Sequence, residues 1–209
     1  MKPVLHGYEF SVYCRIVLAV CHEKGVEIDW VEVNPFADPE AKDYRQHHPF
    51  NRVPALRHGD FALYETTAIC RYIDEVFPGP SLQPTDPRQR ARMAQIIAVT
   101  DAYVYWPLVR QVFSHRVFEP RAGSLGDENE ILAGLSRAKE ALAALEDLAS
   151  DETHLAGREI SLADFHLGAM IDYFVRAEEG AALLAQYPKI SRWWSSLKDR
   201  DSLVATDPL

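Results

Sequence analysis

Ser11 stands just before an apolar-periodic stretch in which Val12, Ile16, Val17, Ala19 and Val20 share one helical face, and Gly25 is a natural stop after Lys24. A serine there has two readings. It can cap the helix with its hydroxyl. It can also stand beside the free N–H groups and positive dipole end of the helix, a combination that favours a bound anion. Tyr8 offers a second hydroxyl just after the first predicted strand, or a half-buried aromatic ring. Arg15, one turn into the helix, can add positive potential or form an ordinary salt bridge. A comparable helix start lies at Glu65-Thr66, where a predicted strand turns into a helix. Backbone N–H groups and the Thr66 hydroxyl make either a carboxylate cradle or a plain cap with an acidic first turn.

Other reactive groups point away from thiol or metal chemistry. Ser11-Val12-Tyr13-Cys14 is S-x-x-C, and a serine hydroxyl does not perform thiol–disulfide exchange. Cys14 and Cys21 share one predicted helical face and read as small buried packing residues. The 3 cysteines form an odd, sparse set without a C-x-x-C pair, which suits a reducing compartment better than a disulfide framework. Cys and His show no zinc-ligand spacing, and His47-His48 is too isolated to count as a site, so no metal is expected. The net charge of −9, with no Lys/Arg cluster to offset it, opposes nucleic acid and leaves a small molecule as the expected partner. No window approaches the roughly 18 consecutive apolar residues of a membrane span. Met1 to Gly7 lacks a signal-peptide pattern, so a cytoplasmic protein is expected.

The elements that must position these residues divide the chain in two. Pro3 to His6 predicts a strand, Ser11 to Lys24 a helix, and Val26 to Val33 a second strand with an imperfect alternation. Residues 34 to 49 read as loop, with a short helix around Glu40 to Gln46. Val53 to Leu56 and Phe61 to Tyr64 predict a hairpin across Gly59-Asp60. Residues 65 to 77 close the unit as a helix, giving a compact two-layer α/β arrangement. Four prolines between 78 and 87 mark a linker. Residues 88 to 209 are predicted to be entirely helical: a long aromatic-rich segment from Arg88 to about Glu119 that Pro107 should kink or restart, an amphipathic helix over Glu130 to Ala149, a buried one over Ser161 to Val175, and another from Tyr187-Pro188. Ser161-x-x-Asp164 is a capping-box variant.

Pro49-Phe50-Asn51-Arg52-Val53-Pro54-Ala55-Leu56, Gly59-Asp60 and Tyr64-Glu65-Thr66-Thr67-Ala68-Ile69 together resemble the glutathione-site block of the glutathione S-transferases. That family usually has Asn-Pro where this chain has His48-Pro49, and Glu-Ser at Glu65-Thr66. Leu155 to Asp164 resembles the capped buried helix of the family's C-terminal domain, and Tyr187-Pro188 through Trp193-Trp194 is a third match. Ser11-Val12-Tyr13-Cys14-Arg15 with His22-Glu23-Lys24-Gly25 is most similar to the phi class and its bacterial relatives.

The resemblance implies a thioredoxin-like first domain (1–77) that holds glutathione, a linker (78–87), and an all-helical second domain (88–209) carrying the electrophile-binding side. It implies glutathione as co-substrate, a hydrophobic electrophile and a homodimer. Ser11 would donate a hydrogen bond to the thiolate, with Tyr8 as the rival donor and Arg15 as a possible aid. Val53-Pro54 would be cis and would pair with the cysteinyl backbone of glutathione. Thr66 and Glu65 would take the γ-glutamyl carboxylate and ammonium, and Arg52 would replace the usual Gln or Lys near the glycyl end. The His-Lys that the family often offers is absent from Asp38-Pro39-Glu40-Ala41-Lys42. A non-catalytic relative binding a ligand or a partner protein is the alternative. A redox-type or chloride-channel-like relative is disfavoured without a cysteine at position 11.

Overall fold

The computed structural model describes residues 1–36 and 44–209. The Asp38 to Lys42 departure lies outside the described residues, as does most of the short helix expected around 40–46. Its described end is a single 3₁₀ turn, Tyr44–Gln46. The chain forms two compact units, Met1–Leu82 with Asp201–Leu209, and Gln83–Arg200.

The first unit is a four-stranded mixed sheet with helices. Its strands are β1 (Val4–Gly7), β2 (Asp29–Glu32), β3 (Ala55–His58) and β4 (Phe61–Tyr64), and its helices α1 (Val12–Lys24) and α2 (Thr66–Val76). The strand order is β2-β1-β3-β4. β1 runs parallel to β2, and β3 is antiparallel to both β1 and β4. Leu5 pairs with Leu56 and Leu56 with Leu63, so these side chains share one face. His6, Ala55 and Tyr64 line the other face by the same register.

Two boundaries differ from the sequence reading, each for a local reason. β2 begins at Asp29 rather than Val26, because α1 ends in a Schellman cap. Gly25, at φ 65°, donates to the His22 carbonyl and Val26 to the Cys21 carbonyl, so Val26 closes the helix and cannot start the strand. β3 begins at Ala55 rather than Val53, because Pro54 has no N–H to give a ladder.

A buried ion pair fastens α1 to α2. Lys24 Nζ lies 3.0 Å from Asp74 Oδ1, with both side chains almost wholly buried, and it also donates to the carbonyls of Asp74 and Pro80. Asp74 in turn accepts from the Leu82 N–H. Removing one partner alone would strand a buried charge.

The second unit is helical. It comprises α3 (Pro87–Val99), a wide-turned π-helical continuation (Thr100–Phe118), α4 (Glu119–Arg121), α5 (Glu128–Leu148), α6 (Leu162–Phe174), α7 (Glu178–Leu184) and α8 (Pro188–Leu197). Pro107 neither ends nor restarts the helix. It sits within the π-helical part, whose wider turns accommodate a ring and a missing N–H better than an α-turn does. Phe113 is buried and stacked on Tyr173 at 4.4 Å, whereas Tyr103 and Trp106 are exposed. The capping box is present, with Ser161 and Asp164 bonding across the start of α6. His166 on that helix is fully buried, which pushes its imidazole down to about 4 and keeps it neutral.

Residues 201–209 depart from the sequence reading. They belong with the sheet-containing unit, where α9 (Asp201–Val204) packs on α1, rather than with the helical unit as the 88–209 assignment had it.

Candidate functional site

The sheet register brings the expected site residues to one edge. His6 faces Ala55 and Ala55 faces Tyr64 across neighbouring strands. The carboxyl end of β1, the amino end of β3 and the carboxyl end of β4 therefore lie side by side. Tyr8 and Ser11 follow β1, Arg52, Val53 and Pro54 precede β3, and Glu65 and Thr66 follow β4. Three distant stretches of sequence thus converge through antiparallel pairing.

Ser11 is the N-cap of α1, with φ −75° and ψ 118°. Its Oγ accepts from the Cys14 N–H at 3.3 Å, and its N–H donates to the Tyr8 carbonyl at 2.9 Å. Accepting with a lone pair leaves the hydroxyl proton to be turned either to the Cys14 sulfur beneath or to an anion outside, so capping does not preclude anion binding. Cys14 beneath it is fully buried. Burial pushes its thiol up to about 11, against smaller opposing effects from hydrogen bonds to Ser11 and Tyr8, and burial alone pushes Cys21 to about 12. Neither is a nucleophile at neutral pH.

Tyr8 packs edge-on against Phe10 and Phe36. Burial, and then the carboxylates of Glu32 and Glu9, raise its phenol above the usual value. Arg15, only 2% exposed, sends Nη2 to the Leu203 carbonyl at 3.0 Å and so ties α9 to α1, while the neutral carbonyl leaves its positive charge in place.

The Val53–Pro54 peptide bond is cis. Arg52 is exposed, and its carbonyl accepts from the buried Tyr44 hydroxyl at 2.8 Å. Glu65 occupies the N-cap position of α2 with φ 73° and ψ 121°, a strained backbone for a side chain of this size, and makes no side-chain cap bond. Thr66, 6% exposed, is the first helical residue and not the cap. The plain-cap reading of Glu65-Thr66 is therefore not realised, since α2 begins without a side-chain cap bond.

One participant went unrecognised in the sequence. His48, set aside there as isolated, is 2% exposed and lies where both Arg52 and Glu65 act on its charge. Its signal was present as the replacement of Asn by His in the Asn-Pro pair.

Comparison with known proteins shows the family to which the chain belongs. Residues 5–81 match the family model described as "Glutathione S-transferase, N-terminal domain", and residues 105–201 match "Glutathione S-transferase, C-terminal domain". The chain belongs to the glutathione S-transferase family. Among its relatives, glutathione S-transferase 1 of Zea mays is 30% identical over 97% of this chain and 95% of its own. Glutathione S-transferase F13 of Arabidopsis thaliana is 28% identical over 100% of this chain and 96% of its own, in keeping with the phi-class resemblance. Among solved structures, glutathione S-transferase-I bound with lactoylglutathione superposes with a TM-score of 0.85 at 25% identity, covering 99% of this chain and 98% of that one. Glutathione transferase F2 from Populus trichocarpa gives 0.84 at 27% identity, covering 98% and 97%. The transferase family thus accounts for both the mixed sheet and the helical unit.

Proposed function

We propose that this chain binds glutathione along the sheet edge, stabilises its thiolate, and transfers it to a hydrophobic electrophile. A free thiol ionises near about 8.5, so little thiolate is present at neutral pH. Ser11 donates its hydroxyl proton to the sulfur, and the start of α1 adds the positive end of its dipole. Both favour the charged form. The proton lost from sulfur passes to solvent. The sulfur lone pair forms the new S–C bond while a leaving group departs with its electrons, or, in addition to a double bond, while the π electrons shift to the neighbouring carbon, which takes a proton from solvent.

Val53 pairs its backbone with the cysteinyl residue of glutathione. Thr66 and the start of α2 take the γ-glutamyl carboxylate, and Glu65 faces the ammonium. Arg52, free in solvent, suits the glycyl carboxylate. The observation that carries this reading is the convergence of Ser11, Val53-Pro54 and Glu65-Thr66 at one sheet edge. The solved transferases bound with lactoylglutathione and with an atrazine glutathione conjugate support glutathione as the co-substrate.

A homodimer acting in the cytoplasm, with detoxification as its role, is part of the same reading. The three buried free cysteines suit a reducing compartment. Among the described residues, no helix is long and apolar enough to cross a membrane.

The test is glutathione consumption against a panel of aryl halides, enones and hydroperoxides. The wild type is expected to turn over at least one class, and Ser11→Ala to lose about a hundredfold in kcat, the usual cost of removing one donor to a developing anion. Equal rates for the two proteins would overturn the role given to Ser11. Glutathione binding without turnover on any class would leave the ligand-binding alternative.

A further inference from the structure

His48 carries a structural feature that the transferase reading does not use. Its side chain is 98% buried by the complement of its 2% exposure, yet its Nδ1 finds no hydrogen-bond partner among the described residues. Its ring lies against Tyr64, centroids 4.8 Å apart, and edge-on to Phe50 at 6.1 Å. Tyr64 is the last residue of β4 and directly precedes Glu65, the strained N-cap of α2. His48 is thus packed under the corner where strand becomes helix. Its own backbone is tied on both sides, donating to the Tyr44 carbonyl and accepting from the Asn51 N–H. Among the described residues, the charged groups that act on it are Glu65 from the strand-to-helix corner and Arg52 from the segment before β3.

We propose that His48 is a positioning residue for the Glu65-Thr66 carboxylate cradle, and that the cradle binds well only while this imidazole is neutral. The proposal rests on the glutathione reading and adds a pH dependence to it. The neutral ring supports Tyr64 by packing against it at a tilt of 44° and asks for nothing at Nδ1 beyond a tolerable unused lone pair. A proton on Nδ1 would place a donor in a buried position with no acceptor. It would also set a second positive charge beside Arg52 and draw the Glu65 carboxylate toward the protein. Glu65 would then be less available to the ammonium of the ligand, which the new charge also repels. Burial, outweighing Glu65, already holds the His48 imidazole below its ordinary value, so the neutral form prevails at pH 7 and protonation comes only on further acidification.

The test measures the dissociation constant of S-hexylglutathione by calorimetry from pH 7.5 to 5.0. This ligand has no thiol to titrate, and its carboxylates stay ionised over that range. The wild type is expected to lose about fivefold or more in affinity across the range. His48→Phe keeps a ring under Tyr64 without a titrating group. His48→Asn installs the residue the family usually has. Both are expected to change by less than about twofold over the same range, and His48→Ala to bind more weakly at every pH. If both His48→Phe and His48→Asn keep the wild-type slope, the proposal is overturned, and Glu65 or the ligand sets the pH response. Failure of the wild type to bind S-hexylglutathione at any pH overturns the glutathione reading itself. Thermal unfolding at pH 7.5 separates loss of fold from loss of positioning.

Discussion

The starts of α2 and α6 solve the same problem in opposite ways. At α6, a buried carboxylate gathers the donors around the helix start. Asp164, fully buried, accepts from the N–H groups of Leu155 and Ser161, the Ser161 hydroxyl and the Trp193 indole, at 2.8–3.0 Å. At α2, the N-cap is a glutamate held at positive φ with no capping bond, and the first helical residue is a buried threonine. The first arrangement leaves nothing for a ligand to do. The second has no side-chain cap of its own, which suits a helix start that receives a ligand. The contrast teaches that a structural helix start and a binding helix start are separated less by residue type than by whether the protein completes its own hydrogen bonds. The start of α1 lies between them, since Ser11 accepts a capping bond and still has a proton to give.

Substitutions can break or sharpen this contrast. The largest effect belongs to the closed site. Asp164→Ala strands several buried donors at once and is expected to cost about 4 kcal/mol of stability, at roughly 1–3 kcal/mol for each unanswered group. Chemical denaturation would measure it, and a loss below about 1 kcal/mol would show that the network is not the fastener the geometry implies. At the open site the sign reverses. Glu65→Gly relieves the positive-φ strain, and the variant is expected to gain about 1 kcal/mol in stability while binding glutathione more weakly. A variant that is both less stable and unchanged in binding would contradict the view that strain at Glu65 is retained for the ligand.

How much could be read from the sequence follows from how local each signal is. α1 was legible from its face of apolar residues and from Ser11 and Gly25 at its ends. The capping box at Ser161-Asp164 was legible because both halves lie within one turn. The residues of the glutathione edge were legible through family resemblance, but their convergence depends on the antiparallel register of β1, β3 and β4, which no local pattern reveals. The bond of Arg15 to the Leu203 carbonyl was not legible because that partner lies far away in the sequence. The tail 201–209 was misplaced for the same reason. His48 was passed over because a histidine becomes informative only once its burial and its contact with Tyr64 are known.

The most direct measurement is the ultraviolet absorbance of the thiolate of bound glutathione as a function of pH, for the wild type and for Ser11→Ala. The account expects the wild type to ionise glutathione well below the free thiol's pKa of about 8.5, and Ser11→Ala to return most of the way to it. An identical titration in both proteins would contradict the claim that the half-open start of α1, through Ser11, makes the nucleophile.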